Sequence, residues 1–142
     1  MSRFVGKAGV ALVLLAFAAC RDATGPQSVA EARALWHSHN LTNYSYLGSQ
    51  TCFCAAPNGP ARVDVVNGSV SQVTDMTTHQ QVSSAGWLTI DQLLDLAEGL
   101  QPFVVAFDKD FGFPKRVERC CVADDSGAIY SVSSVFPSQV PN

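Results

Sequence analysis

The sequence predicts an α+β domain: two helices and a mostly antiparallel sheet of about five to six strands, in the order helix, three strands, helix, three strands. Three observations predict it. Apolar residues recur at helical spacing in residues 29–36 and 90–97, each stretch behind a capping-box pair. Short runs rich in Val, Tyr and Phe fill much of the rest, split by turn residues, of which Asn67-Gly68 is the clearest. Helices and strands do not alternate steadily, so the crossovers of a parallel sheet are not expected.

The chain has 142 residues, enough for one domain with a core of its own. Hydrophobic residues make up 47% and charged residues 15%, which is neither a disordered nor a nucleic-acid-binding composition. The net charge is −3 and the basic residues are scattered, so no nucleic-acid partner is expected.

The first residues stand apart from the domain. Arg3 and Lys7 form a short positive region, and residues 10–19 an apolar run of about ten, half the ~20 that a membrane-spanning helix needs. Ala18 and Ala19 precede Cys20. This resembles the lipobox of bacterial lipoproteins, with Phe17 where leucine is usual. The resemblance implies a signal peptide over 1–19, removed by cleavage before Cys20. The Cys20 thiol is then lipidated, the new amino terminus is acylated, and the protein is held at a membrane of the cell envelope, facing the periplasm or the cell exterior. The other reading is an ordinary secretory signal cut near Ala19. Loss of Arg3 and Lys7 takes the net charge from −3 to −5. Residues 20–27, with Gly25 and Pro26, read as the lipidated cysteine and a short tether, and 28–142 as a single globular domain.

Ser28 and Glu31 have capping-box spacing, and Val29, Ala32, Leu35 and Trp36 form the apolar stripe of a helix that ends near Asn40. His37 and His39 fall in its last turn, two residues apart and therefore on different faces, a poor metal pair. Residues 44–54 read as the first strand, with Tyr44 and Tyr46 on one face and a bulge allowed at Gly48. Residues 57–60 are a loop, 62–66 the second strand and 69–76 the third. A two-residue turn at Asn67-Gly68 pairs Val66 with Ser69 and Val65 with Val70. Residues 77–86 are polar and weakly patterned, as in a flexible crossover, with His79 exposed. Thr89 and Gln92 open the second helix, Ile90, Leu93, Leu94 and Ala97 are its buried stripe, and Gly99 is its stop. Residues 103–108, 114–122 and 128–136 read as three further strands.

Four cysteines remain once Cys20 is lipidated: Cys52, Cys54, Cys120 and Cys121. An exported chain meets an oxidising compartment, and an even count points to two disulfides. The local bridges Cys52–Cys54 and Cys120–Cys121 close very tight rings. Bridges between the two pairs close loops of about 65–70 residues, worth ~4 kcal/mol each in the chain-entropy picture. If the two segments are antiparallel neighbours, the nested pairing of Cys52 with Cys121 and Cys54 with Cys120 suits best. A tetrathiolate zinc site lacks its usual two-to-four-residue spacing here, and there is no Cys-x-x-Cys redox motif.

Other chemistry is thin. Asp108 and Asp110 with Gly112 resemble the start of a calcium loop, but no glutamate follows at the required position. There is no Gly-x-Ser-x-Gly elbow and no phosphate-binding glycine loop. Neither metal nor cofactor is expected.

A wider pattern runs through Trp36, the Tyr44 strand, Cys52-Phe53-Cys54, Thr89-Ile90-Asp91, Phe107-Asp108, Gly112-Phe113-Pro114, Val117 and Tyr130-Ser131-Val132. It resembles a family of small bacterial lipoproteins of unknown function that carry a motif close to Tyr-Asp…Gly-Tyr-Pro…Ile. Phe107 and Phe113 stand where tyrosine is commoner. The resemblance implies no catalytic residue. The expectation is a lipid-anchored, non-catalytic envelope module that touches another envelope protein or the cell wall. The alternative is a small ligand-binding or inhibitory domain using the sheet face and the 109–113 loop, with Phe111, Phe113, Asp108 and Asp110 as its binding residues. An exposed aromatic patch with no enclosed pocket favours the first, a closed apolar cavity with convergent polar groups the second.

Overall fold

The computed structural model describes residues 25–52, 58–99, 106–119 and 127–138. Two helices, α1 (Val29–Ser38) and α2 (Ile90–Gly99), pack on one face of a six-stranded sheet. The strands are β1 (Tyr44–Cys52), β2 (Gly59–Val66), β3 (Ser69–Asp75), β4 (Gln81–Val82), β5 (Arg116–Arg119) and β6 (Ala128–Pro137), in the order β4-β3-β2-β1-β6-β5. Every pairing is antiparallel, and the fold is the expected α+β class.

Both helix starts follow their sequence signals. The Glu31 amide donates to Ser28 Oγ at 3.2 Å, while the Glu31 carboxylate reaches back one residue further than in the standard box, to the Gln27 amide at 2.7 Å. At α2 the exchange is reciprocal: the Gln92 amide donates to Thr89 Oγ1 and the Thr89 amide to Gln92 Oε1. The stripe Ile90, Leu93, Leu94 and Ala97 is buried as its spacing predicts. So are Ala32 and Trp36 of α1.

Strand alternation sorts the sheet into two faces. Tyr44 and Tyr46 pair with Val65 and Val63, and all four, with Val73, point into the core beneath the helices. The Asn67-Gly68 turn closes β2 on β3 in the predicted register, with both residues at positive φ (51° and 71°) as a two-residue hairpin requires. Against β6, β1 slips register between Leu47 and Gly48, leaving Ser133 as the extra residue. Gly48 has no room for a side chain there: a Cβ would lie 2.6 Å from the Ser131 carbonyl oxygen and 2.9 Å from the Tyr46 ring.

Three expectations change. Residues 77–86 are not a featureless crossover. The Asp75 carboxylate accepts from the Thr77 and Thr78 amides and its carbonyl from His79, turning the chain back so that Gln81 and Val82 pair with Thr74 and Val73. Side-chain capping by one aspartate orders a stretch whose hydropathy carries no pattern. Next, of the strand expected over 103–108, residues 103–105 lie outside the described residues, and Phe107 forms only an isolated bridge with Pro114. Finally, β1, which leads into the first cysteine pair, and β5, which ends just before the second, are not antiparallel neighbours. β6 lies between β1 and β5 and is antiparallel to both, so β1 and β5 run parallel. Cys54, Cys120 and Cys121 lie outside the described residues, as does Cys20, and Cys52 is described by its backbone alone.

Candidate functional site

Two surfaces are candidates: the loop before β5, which carries Asp108, Asp110, Phe111 and Phe113, and the sheet face that carries no helix among the described residues.

The loop is built on Asp108. Its Oδ1 accepts from the Asp110 amide at 3.0 Å and the Phe111 amide at 2.8 Å, an Asx turn. Its carbonyl accepts from the Gly112 amide, and its own amide donates to the Phe113 carbonyl. Gly112 sits at φ 80° against α1, where a Cβ would lie 2.3 Å from the Ala32 carbonyl oxygen. Phe113 is 3% exposed and belongs to the core. Phe111, half-buried, stacks on His39 with ring centroids 4.6 Å apart. His39 Nε2 donates to the Asp110 carbonyl at 3.0 Å, and a carbonyl can only accept, so Nε2 carries a proton. Of the four proposed binding residues, then, Phe113 and Asp108 frame the loop itself, while Phe111 and Asp110 lie nearer the surface. Among the described residues no three His, Cys, Asp or Glu side chains gather as metal ligands.

Between the helices, the Asp91 carboxylate accepts from Trp36 Nε1 at 3.3 Å with one oxygen and lies 2.8 Å from His37 Nε2 with the other. Arg33 bridges to Asp95 and Glu98, each at 2.9 Å. His37 of α1 and His39 at its C-cap therefore turn to different partners, Asp91 and the Asp110 carbonyl, as their spacing predicts. The Asp91 role was not legible, because the side chain's partners come from an element 54 residues away.

The helix-free face carries Ser45, Leu47 and Ser49 of β1, Arg62, Asp64 and Val66 of β2, and Phe136 of β6. Arg62 is held in place by Asp64 and by Ser45 Oγ, each at 3.0 Å. Val66 is 48% exposed and Phe136 47%, and Met76, just past β3, is 38% exposed. The alternation that buries Val65 and Tyr44 puts Val66 and Ser45 on the other side, so this face could have been read from the register. A shallow cleft of about 350 Å³ lies between Leu47, Ser49, Pro60, Met76, Ser131 and Ser133. A second, of about 440 Å³, lies beside α2 between Leu88, Gln92, Asp95, Leu96 and Tyr130. Both are open to solvent.

Fold and surfaces together define a small α+β domain in which, among the described residues, one side of the sheet is covered by two helices and the other by none. Residues 28–135 match the family of unknown function DUF6174, and the chain belongs to that family. No curated protein and no solved structure matches the chain.

Proposed function

We propose that this chain is a lipid-anchored, non-catalytic cell-envelope domain of bacterial lipoprotein type, which engages another envelope protein or the wall through the bare face of its sheet. The observation that carries the interaction role is the exposure of Val66, Met76 and Phe136 on and beside that face, where Met76 also lines a cleft that is shallow and open. The anchor rests on the sequence before the domain: Arg3 and Lys7, the apolar run to Ala19, and Cys20. Among the described residues no helix is long and apolar enough to cross a membrane. The ligand-binding alternative has less to draw on, since Phe113 is core and the Asp108 carboxylate is engaged within its own loop.

The four remaining thiols fit this reading as two bridges between the Cys52–Cys54 and Cys120–Cys121 segments. Cys52 and Arg119 both pair with Ala128, so β1 and β5 leave the sheet at the same end, about 10 Å apart across β6. Because β1 and β5 run parallel, the nested pairing loses the antiparallel arrangement that recommended it.

Fractionation tests the anchor. Wild type is expected in the membrane fraction with an acylated amino-terminal peptide, and Cys20→Ser in the soluble fraction or as uncut precursor. A Cys20→Ser protein that is processed and still membrane-bound overturns the reading. For the interaction role, crosslinking from a photoreactive residue at Phe136 is expected to capture a discrete envelope partner. Equal labelling from Phe136 and from exposed Glu98 on the helix side argues against it.

A further inference from the structure

We propose, on the reading that Cys20 is lipidated, that the domain meets the phospholipid surface with the corner formed by Gly25 and Lys109–Phe111, so that the tether fixes which side faces the membrane. Gly25, the first described residue, does not leave the domain freely. It packs on the loop so closely that a Cβ on it would lie 2.9 Å from the Lys109 Cα. Residues 21–24 are all that separate Gly25 from the lipidated Cys20, five Cα steps in all. Five extended residues reach at most about 18 Å, less than the width of the domain.

The corner's chemistry suits contact without requiring charge. Lys109 and Lys115 are the chain's lysines beyond residue 19. Lys109 Nζ lies 3.0 Å from Asp110, and Lys115 Nζ 4.0 Å from Asp108, so the corner is close to neutral. Beside them the Phe111 ring, backed by His39, offers an apolar side chain that can enter the lipid interface. The reach of the tether, not attraction to anionic lipid, selects the face. The turn after β3 is the natural reference point. It lies on the far side of the sheet, four strand spacings or about 19 Å from β5.

Amine footprinting of the full-length lipidated protein in vesicles tests this. Modification of Lys109 by a succinimidyl ester is followed by peptide mass spectrometry in phosphatidylcholine vesicles, and again with phosphatidylglycerol added. The soluble Cys20→Ser protein gives the unprotected rate, and Thr78→Lys in the same lipidated chain gives the reference site. Lys109 is expected to react several-fold more slowly when anchored, position 78 to react equally in both forms, and added anionic lipid to change neither. Equal protection at 109 and 78 in a protein whose acylated amino-terminal peptide is seen overturns the proposal and leaves the anchor standing. Protection that appears only with phosphatidylglycerol overturns it too, since charge and not the tether then sets the contact. A spectrum without acyl groups on Cys20 overturns the anchor and this inference together.

Discussion

Gly112 shows how one position can join two elements. Its amide closes the Asp108 turn, its positive φ favours glycine, and its missing side chain lets the loop lie on the α1 backbone. Gly112→Ala is expected to cost well over 1 kcal/mol, because strain and a clash with the Ala32 carbonyl add. Chemical unfolding measures it, and a wild-type midpoint would mean the loop does not pack as described. Trp36, 1% exposed, meets Tyr44 edge-on with ring centroids 5.1 Å apart, and Trp36→Ala is expected to cost about 3–5 kcal/mol. Asp75 makes a prediction about pH. Amide donors from Thr78 and Thr77 hold its carboxylate below the ordinary aspartate value of about 3.9. Its contribution is therefore present above that value and is lost as pH falls through the depressed one. Asp75→Asn should flatten the acid limb of the stability curve and leave its alkaline limb unchanged.

At the scale of elements, β1 and α2 are tied by two phenols. Tyr44 Oη accepts the Ile90 amide at 2.9 Å, satisfying a donor in the first turn of α2, and Tyr46 Oη donates to the Leu88 carbonyl at 2.6 Å. Tyr44→Phe leaves the ring packing intact and removes the hydroxyl that meets the Ile90 amide and the Thr89 side chain, so a loss of about 1–2 kcal/mol is expected. Burial pushes both hydroxyls well above the ordinary tyrosine range. A raised value in the folded state means the stability is complete below about pH 10 and is lost as pH rises beyond it. The tyrosinate absorbance of these two residues should thus appear together with alkaline unfolding. Ionisation of both in a still-folded protein, seen by circular dichroism, would contradict their burial.

The molecule as a whole has an exposed sheet face, two short edge strands and, on the proposed reading, an oxidising home. Denatured without reductant, the exported protein should show no free thiol among Cys52, Cys54, Cys120 and Cys121, and peptide mapping should join the first pair to the second. Each such bridge closes a loop worth ~4 kcal/mol, and because the two loops overlap, reduction should cost several kcal/mol but less than twice that. Stoichiometric zinc, or a mapped Cys120–Cys121 bridge, would replace this picture with metal or redox chemistry.

The local devices were written in the chain itself. Ser28 with Glu31, Thr89 with Gln92 and Asn67-Gly68 each act within three residues, so their spacing carries the geometry, and the buried stripes of α1 and α2 follow from a fixed helical period. Alternation likewise set which faces of β1 and β2 meet the core. Beyond the β2–β3 hairpin, what no spacing could state is which strand lies next to which. The insertion of β6 between β1 and β5 depends on the pairing of β1 with β6, whose partners are 76 to 93 positions apart, and it decides both the relative direction of β1 and β5 and the make-up of the helix-free face. The pairing of Asp91 with Trp36 and His37, the burial of Phe113 and the docking of Gly25 on Lys109 are of the same kind. Each is a contact between segments that the sequence keeps far apart, and only the packed core brings them together.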